Sequence, residues 1–118
     1  LNGSAGIDSF HGGFDADKVI GGRGDDTVNG GTGDDVLTGN TGADTFVIDF
    51  NAGSDTITDF GGVDLIAIDL DYGVSSYAEV RAHTVVDGSD LIVTFDNGDT
   101  LTLINTKLSA LSDGLIFF

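Results

Sequence analysis

Gly21-Gly-Arg-Gly-Asp-Asp-Thr-Val-Asn29 is followed without a gap by Gly30-Gly-Thr-Gly-Asp-Asp-Val-Leu-Thr38. Extending the frame outward gives three more nonapeptides: Gly3-Ser-Ala-Gly-Ile-Asp-Ser-Phe-His11, Gly12-Gly-Phe-Asp-Ala-Asp-Lys-Val-Ile20 and Gly39-Asn-Thr-Gly-Ala-Asp-Thr-Phe-Val47. Position one is Gly in all five. Position six is Asp throughout (Asp8, Asp17, Asp26, Asp35, Asp44), and position eight is a large apolar residue (Phe10, Val19, Val28, Leu37, Phe46). A period of nine is neither helical nor the alternation of a half-buried strand. It is the period of a structural unit that stacks on copies of itself.

Each unit divides in two. The half Gly-Gly-x-Gly-x-Asp favours tight turning with positive φ angles, and several carbonyl oxygens can converge there beside one carboxylate. The half x-apolar-x is a strand of about three residues with one side chain pointing inward. Two nonapeptides then make one coil, with loops 3–8, 21–26 and 39–44 stacked on one edge and loops 12–17 and 30–35 on the other. Ser4 replaces Gly in the first unit, and Asp15 replaces the fourth-position Gly in the second, where a distorted turn is expected. The pattern continues with altered spacing. Asn51-Ala-Gly-Ser-Asp55-Thr-Ile57 is a loop expanded by two residues, and Gly61-Gly-Val-Asp64-Leu-Ile66 repeats the pattern once more.

The charge bears on what the loops hold. Twenty acids oppose four bases, for a net charge of −16, and every acid except Glu79 is Asp. Short carboxylates held close to the backbone suit turns and hard-cation loops. A set of carbonyls plus carboxylate fits calcium, which takes six to eight oxygens, better than magnesium, which demands a rigid octahedron. Carboxylates on stacked strands about 4.8 Å apart repel by roughly 1 kcal/mol in water and about 3.5 kcal/mol at an effective dielectric near 20. One apolar residue in nine makes a thin core. The repeats are therefore expected to be disordered without metal and to fold as calcium joins adjacent loops. Pairing each loop with the next on its edge gives about five ions: 3–8 with 21–26, 21–26 with 39–44, 12–17 with 30–35, 30–35 with 51–55, and 39–44 with 59–64. The first and last of these pairs are the least regular.

The same charge excludes nucleic acid, which needs clustered bases; Lys18, Arg23, Arg81 and Lys107 are too few. No stretch approaches the apolar length of a membrane span, and the chain reads as a soluble, monomeric module of a larger protein. Without cysteine there is neither a disulfide nor a thiolate metal site. His11 and His83 accompany no G-x-S-x-G or H-E-x-x-H motif, so no catalytic constellation is present. Asp25 and Asp34 at position five are read as solvated. Asp69-Leu-Asp71-Tyr-Gly73 echoes an EF-hand opening, but the twelfth position is Val80, so it is read as a strand end and turn.

From Asp69 the repeat stops, dividing the chain into a roll over 1–68 and a closing segment over 69–118. Ser76-Tyr-Ala-Glu79 reads as a capping box opening a helix to about Ala82. Residues 91–95 and 100–104 read as a hairpin around Asn97-Gly98. Residues 108–111 read as one helical turn and 115–118 as a last strand. Tyr72 and Tyr77 are assigned to packing in this segment. Solenoids need such an end piece to cover the open edge and apolar core.

Gly21 to Thr38 resemble, at every defined position in two successive copies, the G-G-x-G-x-D-x-U-x repeat of RTX (repeats-in-toxin) proteins. The runs Gly53–Phe60 and Gly61–Ile66 resemble the closing segment of such arrays. Gly98–Leu103, Leu108–Asp113 and the end at Phe118 resemble their C-terminal flank. The resemblance implies an all-β fold, a right-handed parallel β-roll with a C-terminal cap of a hairpin and short helices. It implies transient passage through a Gram-negative type I secretion apparatus and folding outside the cell. It places calcium ligands on Asp8, Asp17, Asp26, Asp35, Asp44, Asp55 and Asp64, and on carbonyls of Gly21, Gly22, Arg23, Gly24, Gly30, Gly31, Thr32, Gly33, Gly39, Asn40, Thr41 and Gly42. The alternative reading is a module that grips a polysaccharide or cell surface for an attached epimerase, protease or adhesin.

Overall fold

The computed structural model describes residues 2–112 and 114–118; Asp113 of the flank resemblance lies outside them. In chain order the strands are β1 (Ser9–His11), β2 (Lys18–Arg23), β3 (Thr27–Asn29), β4 (Val36–Thr41), β5 (Thr45–Ile48), β6 (Ser54–Ile57) and β7 (Leu65–Ile68), then α1 (Tyr77–Ala82), β8 (Thr84–Asp87), β9 (Asp90–Thr94), β10 (Thr100–Leu103), α2 (Leu108–Leu111) and β11 (Leu115–Phe117). Odd strands build one sheet, ordered β1-β3-β5-β7-β11. The other runs β2-β4-β6-β10-β9-β8. All pairings are parallel except those of β9 with β10 and β8. The molecule is thus a parallel β-solenoid of about three turns with an antiparallel end, as the nonapeptide period predicts.

The register shows why position eight must be apolar. Phe10, Val28, Phe46 and Ile66 stand opposite one another in the first sheet, and Val19, Leu37 and Ile57 in the second. From Val19 onward all six are fully buried. Between them lies the narrow core, to which Ile48 of β5 and Ile68 of β7 each add a second buried side chain.

The closing segment continues both sheets. β10 pairs with β6 so that Leu103 follows Ile57 and Leu101 takes the register of Asp55. β11 pairs with β7 so that Leu115 follows Ile66. An apolar side chain, Leu101, therefore ends the carboxylate column on that edge and is itself buried. Ser76 caps α1, accepting from Glu79 N–H at 3.2 Å. The Glu79 carboxylate accepts from Ser75 Oγ at 3.1 Å. The hairpin turns through Phe95–Gly98, with Gly98 at φ 95°. β8 is not foreseen in the sequence; Thr84-Val-Val-Asp87 is too short to show alternation, and Val85 and Val86 remain exposed. The stretch Leu70–Tyr72 is a 3-10 turn capped by Asp69 and closed by Gly73 at φ 83°.

Tyr72 joins roll and cap. Its ring stacks on Phe95 at 4.0 Å and meets Phe50 edge-on at 5.2 Å. Its hydroxyl lies 2.9 Å from Asp49 O and 2.8 Å from Asp99 Oδ2, and accepts from Ala52 N–H at 3.2 Å. His83 ties α1 to the hairpin turn, with Nδ1 2.8 Å from Glu79 O and Nε2 3.1 Å from Asp96 Oδ1.

Candidate metal centre

Each repeat aspartate leaves its loop where the strand begins, so its carboxylate lies at the loop's inner rim. From Asp26 onward, Oδ1 reaches the preceding coil. Asp26 accepts from Asp8 N–H (2.8 Å), Asp44 from Asp26 N–H (3.0 Å) and Asp64 from Asp44 N–H (3.0 Å). On the other edge Asp35 accepts from Asp17 N–H (2.8 Å) and Asp55 from Asp35 N–H (3.1 Å). The columns 8–26–44–64 and 17–35–55 contain five inter-coil pairs, the same five that the loop spacing predicts.

The second oxygen is different. Oδ2 of Asp8, Asp17, Asp26, Asp35 and Asp44 is buried without a hydrogen-bond partner. A buried, unpaired carboxylate oxygen is costly in an apolar surrounding. Position one of the same repeat explains the room left for it. A Cβ on Gly12 or Gly21 would lie 2.7 Å from Oδ2 of Asp17 or Asp26, and one on Gly3 would lie 2.8 Å from that of Asp8. Only glycine leaves this space clear. Among the described residues, no three His, Cys, Asp or Glu side chains converge. A cation held here must take most of its donors from loop carbonyls, which hard, oxygen-seeking calcium does readily.

The loops are stacked closely enough for this. Arg23 N–H donates to Ser4 O at 2.8 Å, Thr32 N–H to Gly13 O at 2.8 Å, and Gly24 N–H to Thr41 O at 3.0 Å. At position four a Cβ on Gly24 or Gly33 would run into the carbonyl of Gly6 or Asp15 in the preceding loop. Asp15 occupies position four itself, at φ 72°, where Gly24 and Gly33 have φ 105° and 115°. The turn survives because Asp tolerates the left-handed region. Replacing Asp15 with Gly is expected to stabilise the folded chain by about 1 kcal/mol, read as a higher urea midpoint in calcium.

Burial sets the electrostatics. Desolvation pushes Asp44 up to about 6 and Asp55 up to about 7, with neighbouring carboxylates adding to the rise and a backbone hydrogen bond to each opposing it. Asp35 and Asp64 are raised for the same leading reason. An acid with a raised folded-state pKa stabilises the fold fully below its unfolded value, near 4, and loses that contribution as pH rises through the folded value. Without metal, β-structure is therefore expected to increase when the pH is lowered from 7.5 to 5, measured by circular dichroism in chelator.

By sequence Asp25 and Asp34 are expected to be solvated. Both are exposed, yet each accepts a backbone N–H from the next coil: Ala43 N–H to Asp25 Oδ1 at 2.8 Å and Ser54 N–H to Asp34 Oδ1 at 2.9 Å. No repeat position marks Asp59, which accepts from Gly39 and Asn40 N–H. The available signal was its position two residues beyond Ile57, where the spacing first becomes irregular.

The model of the RTX calcium-binding nonapeptide repeat matches residues 1–28 and again 20–47. Residues 1–47 are RTX calcium-binding repeats. The fold of the whole chain is similar to part of the extracellular lipase LipA from Serratia marcescens, with a TM-score of 0.64 and 22% identity, covering 96% of this chain and 19% of the lipase. That likeness shows a shared fold, and the chain spans about a fifth of the lipase's length. No curated protein sequence matches it. Among the described residues of the RTX roll and its cap, no helix is long and apolar enough to cross a membrane.

Proposed function

We propose that the chain is a calcium-dependent folding and secretion module of a larger extracellular protein. The observation that carries this is the set of five buried carboxylate oxygens without partners, one from each of Asp8, Asp17, Asp26, Asp35 and Asp44. About five ions would be held between successive loops by the columns 8–26–44–64 and 17–35–55, together with carbonyls from the first four positions of the loops at Gly21, Gly30 and Gly39. Bound calcium supplies positive charge and oxygen coordination where the coils otherwise bring like charges together.

The consequence is a conditional fold. Where calcium is scarce, as in the cytosol, the aspartates keep the coils apart and the chain stays extended enough to thread a type I apparatus. Where calcium is millimolar, outside the cell, the coils close. The likeness to part of an extracellular lipase and the RTX repeats support this location. Small-angle scattering tests it. In calcium the radius of gyration should approach the Cα value of 12.9 Å, and in chelator it should approach about 35 Å, the dimension of an unfolded chain of this length. A compact chain in chelator at neutral pH would refute the proposal.

A further inference from the structure

β4 runs to Thr41, but β6 ends at Ile57 and pairs only with Val36 and Leu37 of β4. In the preceding coil the equivalent pairing extends through Gly22↔Asn40 and Arg23↔Thr41. The N–H groups of Gly39 and Asn40 thus face a place where the next strand is missing. The Asp59 carboxylate fills it, taking Gly39 N–H on Oδ1 at 3.0 Å and Asn40 N–H on Oδ2 at 2.7 Å. Asn40 has φ 68°, and successive N–H groups around a left-handed residue form a concavity suited to an anion. Here the anion is the chain's own. Asp25 and Asp34 show the same device with one bond each, to Ala43 and Ser54. All three reach a coil 18 to 20 residues away.

We propose that Asp25, Asp34 and Asp59 are positioning carboxylates that fix the register of one calcium loop on the next by accepting backbone N–H groups, with Asp59 standing in for the missing strand where the loop stack ends. The proposal rests on the calcium reading above and assigns these residues no ligand role. Asp26, Asp35 and Asp44 each use one oxygen on the backbone and keep the other free; Asp59 uses both on the backbone. What matters at positions 25 and 34 is therefore an acceptor oxygen, which asparagine retains, and not the charge a ligand needs.

The test compares Ala and Asn variants at 25, 34 and 59, reading the calcium midpoint by circular dichroism, bound ions at saturation by equilibrium dialysis, and amide exchange at Gly39, Asn40, Ala43 and Ser54. Asp25→Ala or Asp34→Ala should raise the calcium midpoint roughly three- to tenfold, and Asp59→Ala by about tenfold or more. Asp25→Asn and Asp34→Asn should change it less than about twofold, and Asp59→Asn, keeping one acceptor, should fall between. The number of ions bound should match the parent, and exchange should quicken at the amide that lost its acceptor. Loss of an ion, or Asn as damaging as Ala at 25 and 34, would make these residues ligands and overturn the proposal. Unchanged exchange and midpoint in the Ala variants would overturn it too. A parent chain that folds without binding calcium would defeat the calcium reading instead, and exchange at Gly39 and Asn40 in Asp59→Ala would still decide the register role.

Discussion

Asp26→Ala combined with Asp35→Ala is expected to raise the calcium concentration needed for folding by at least about 100-fold. The two residues are fully buried, one in the middle of each column. Each gives Oδ1 to the preceding coil, at Asp8 or Asp17 N–H, and holds Oδ2 without a partner. A hydrogen bond to a charged group contributes about 1.5–3 kcal/mol, so losing two costs about 3–6 kcal/mol before any lost coordination is counted. Each 1.4 kcal/mol is tenfold in an equilibrium constant. The paired Asn variants separate the two contributions: they keep an acceptor for the neighbouring N–H and remove the charge. They are expected to lose nearly as much calcium affinity, in contrast to Asn at positions 25 and 34. The measurement is a calcium titration followed by circular dichroism. An unchanged midpoint in the double Ala variant would remove the aspartate columns from the calcium sites.

Removing residues 70–118 is expected to abolish calcium-induced folding up to millimolar calcium. The deletion strips β10 from β6 and β11 from β7. It uncovers Ile48, Ile57, Ile66 and Ile68, none more than 2% exposed in the intact chain. Four isoleucines at about 1.5–3 kcal/mol each amount to about 6–12 kcal/mol, comparable with the whole stability of a small domain. The deletion also removes the Tyr72 hydroxyl from the loop at Asp49 and Ala52. Folding in calcium that survives the deletion unchanged would show that the roll closes its own end.

The roll was legible because its physics is local and periodic. Gly at position one, Asp at six and an apolar residue at eight each have one structural reason, repeated every nine residues, so coil, register and both columns follow from spacing. The cap elements with local signals were legible as well: the Ser76 cap of α1 and Gly98 in the hairpin. What stayed hidden depends on contacts that no local pattern announces. Leu101 in the register of Asp55 is visible only once β10 is known to pair with β6. β8 exists because β9 offers it an edge. Asp59 matters because β6 stops before β4 does, a difference between two strands that a reading of either one misses. Asp15 shows the reverse case, a departure from the repeat that looks disruptive in sequence and is accommodated because Asp tolerates the left-handed φ of 72° that the turn requires.

The central claim is that the repeat specifies a solenoid only together with calcium. Its most direct test is far-ultraviolet circular dichroism of the intact chain at pH 7.5, in chelator, in millimolar magnesium and in millimolar calcium. A disordered spectrum in chelator and in magnesium, converting to β-structure in calcium, is the predicted result. A β spectrum already present in chelator, unchanged by calcium, would contradict it.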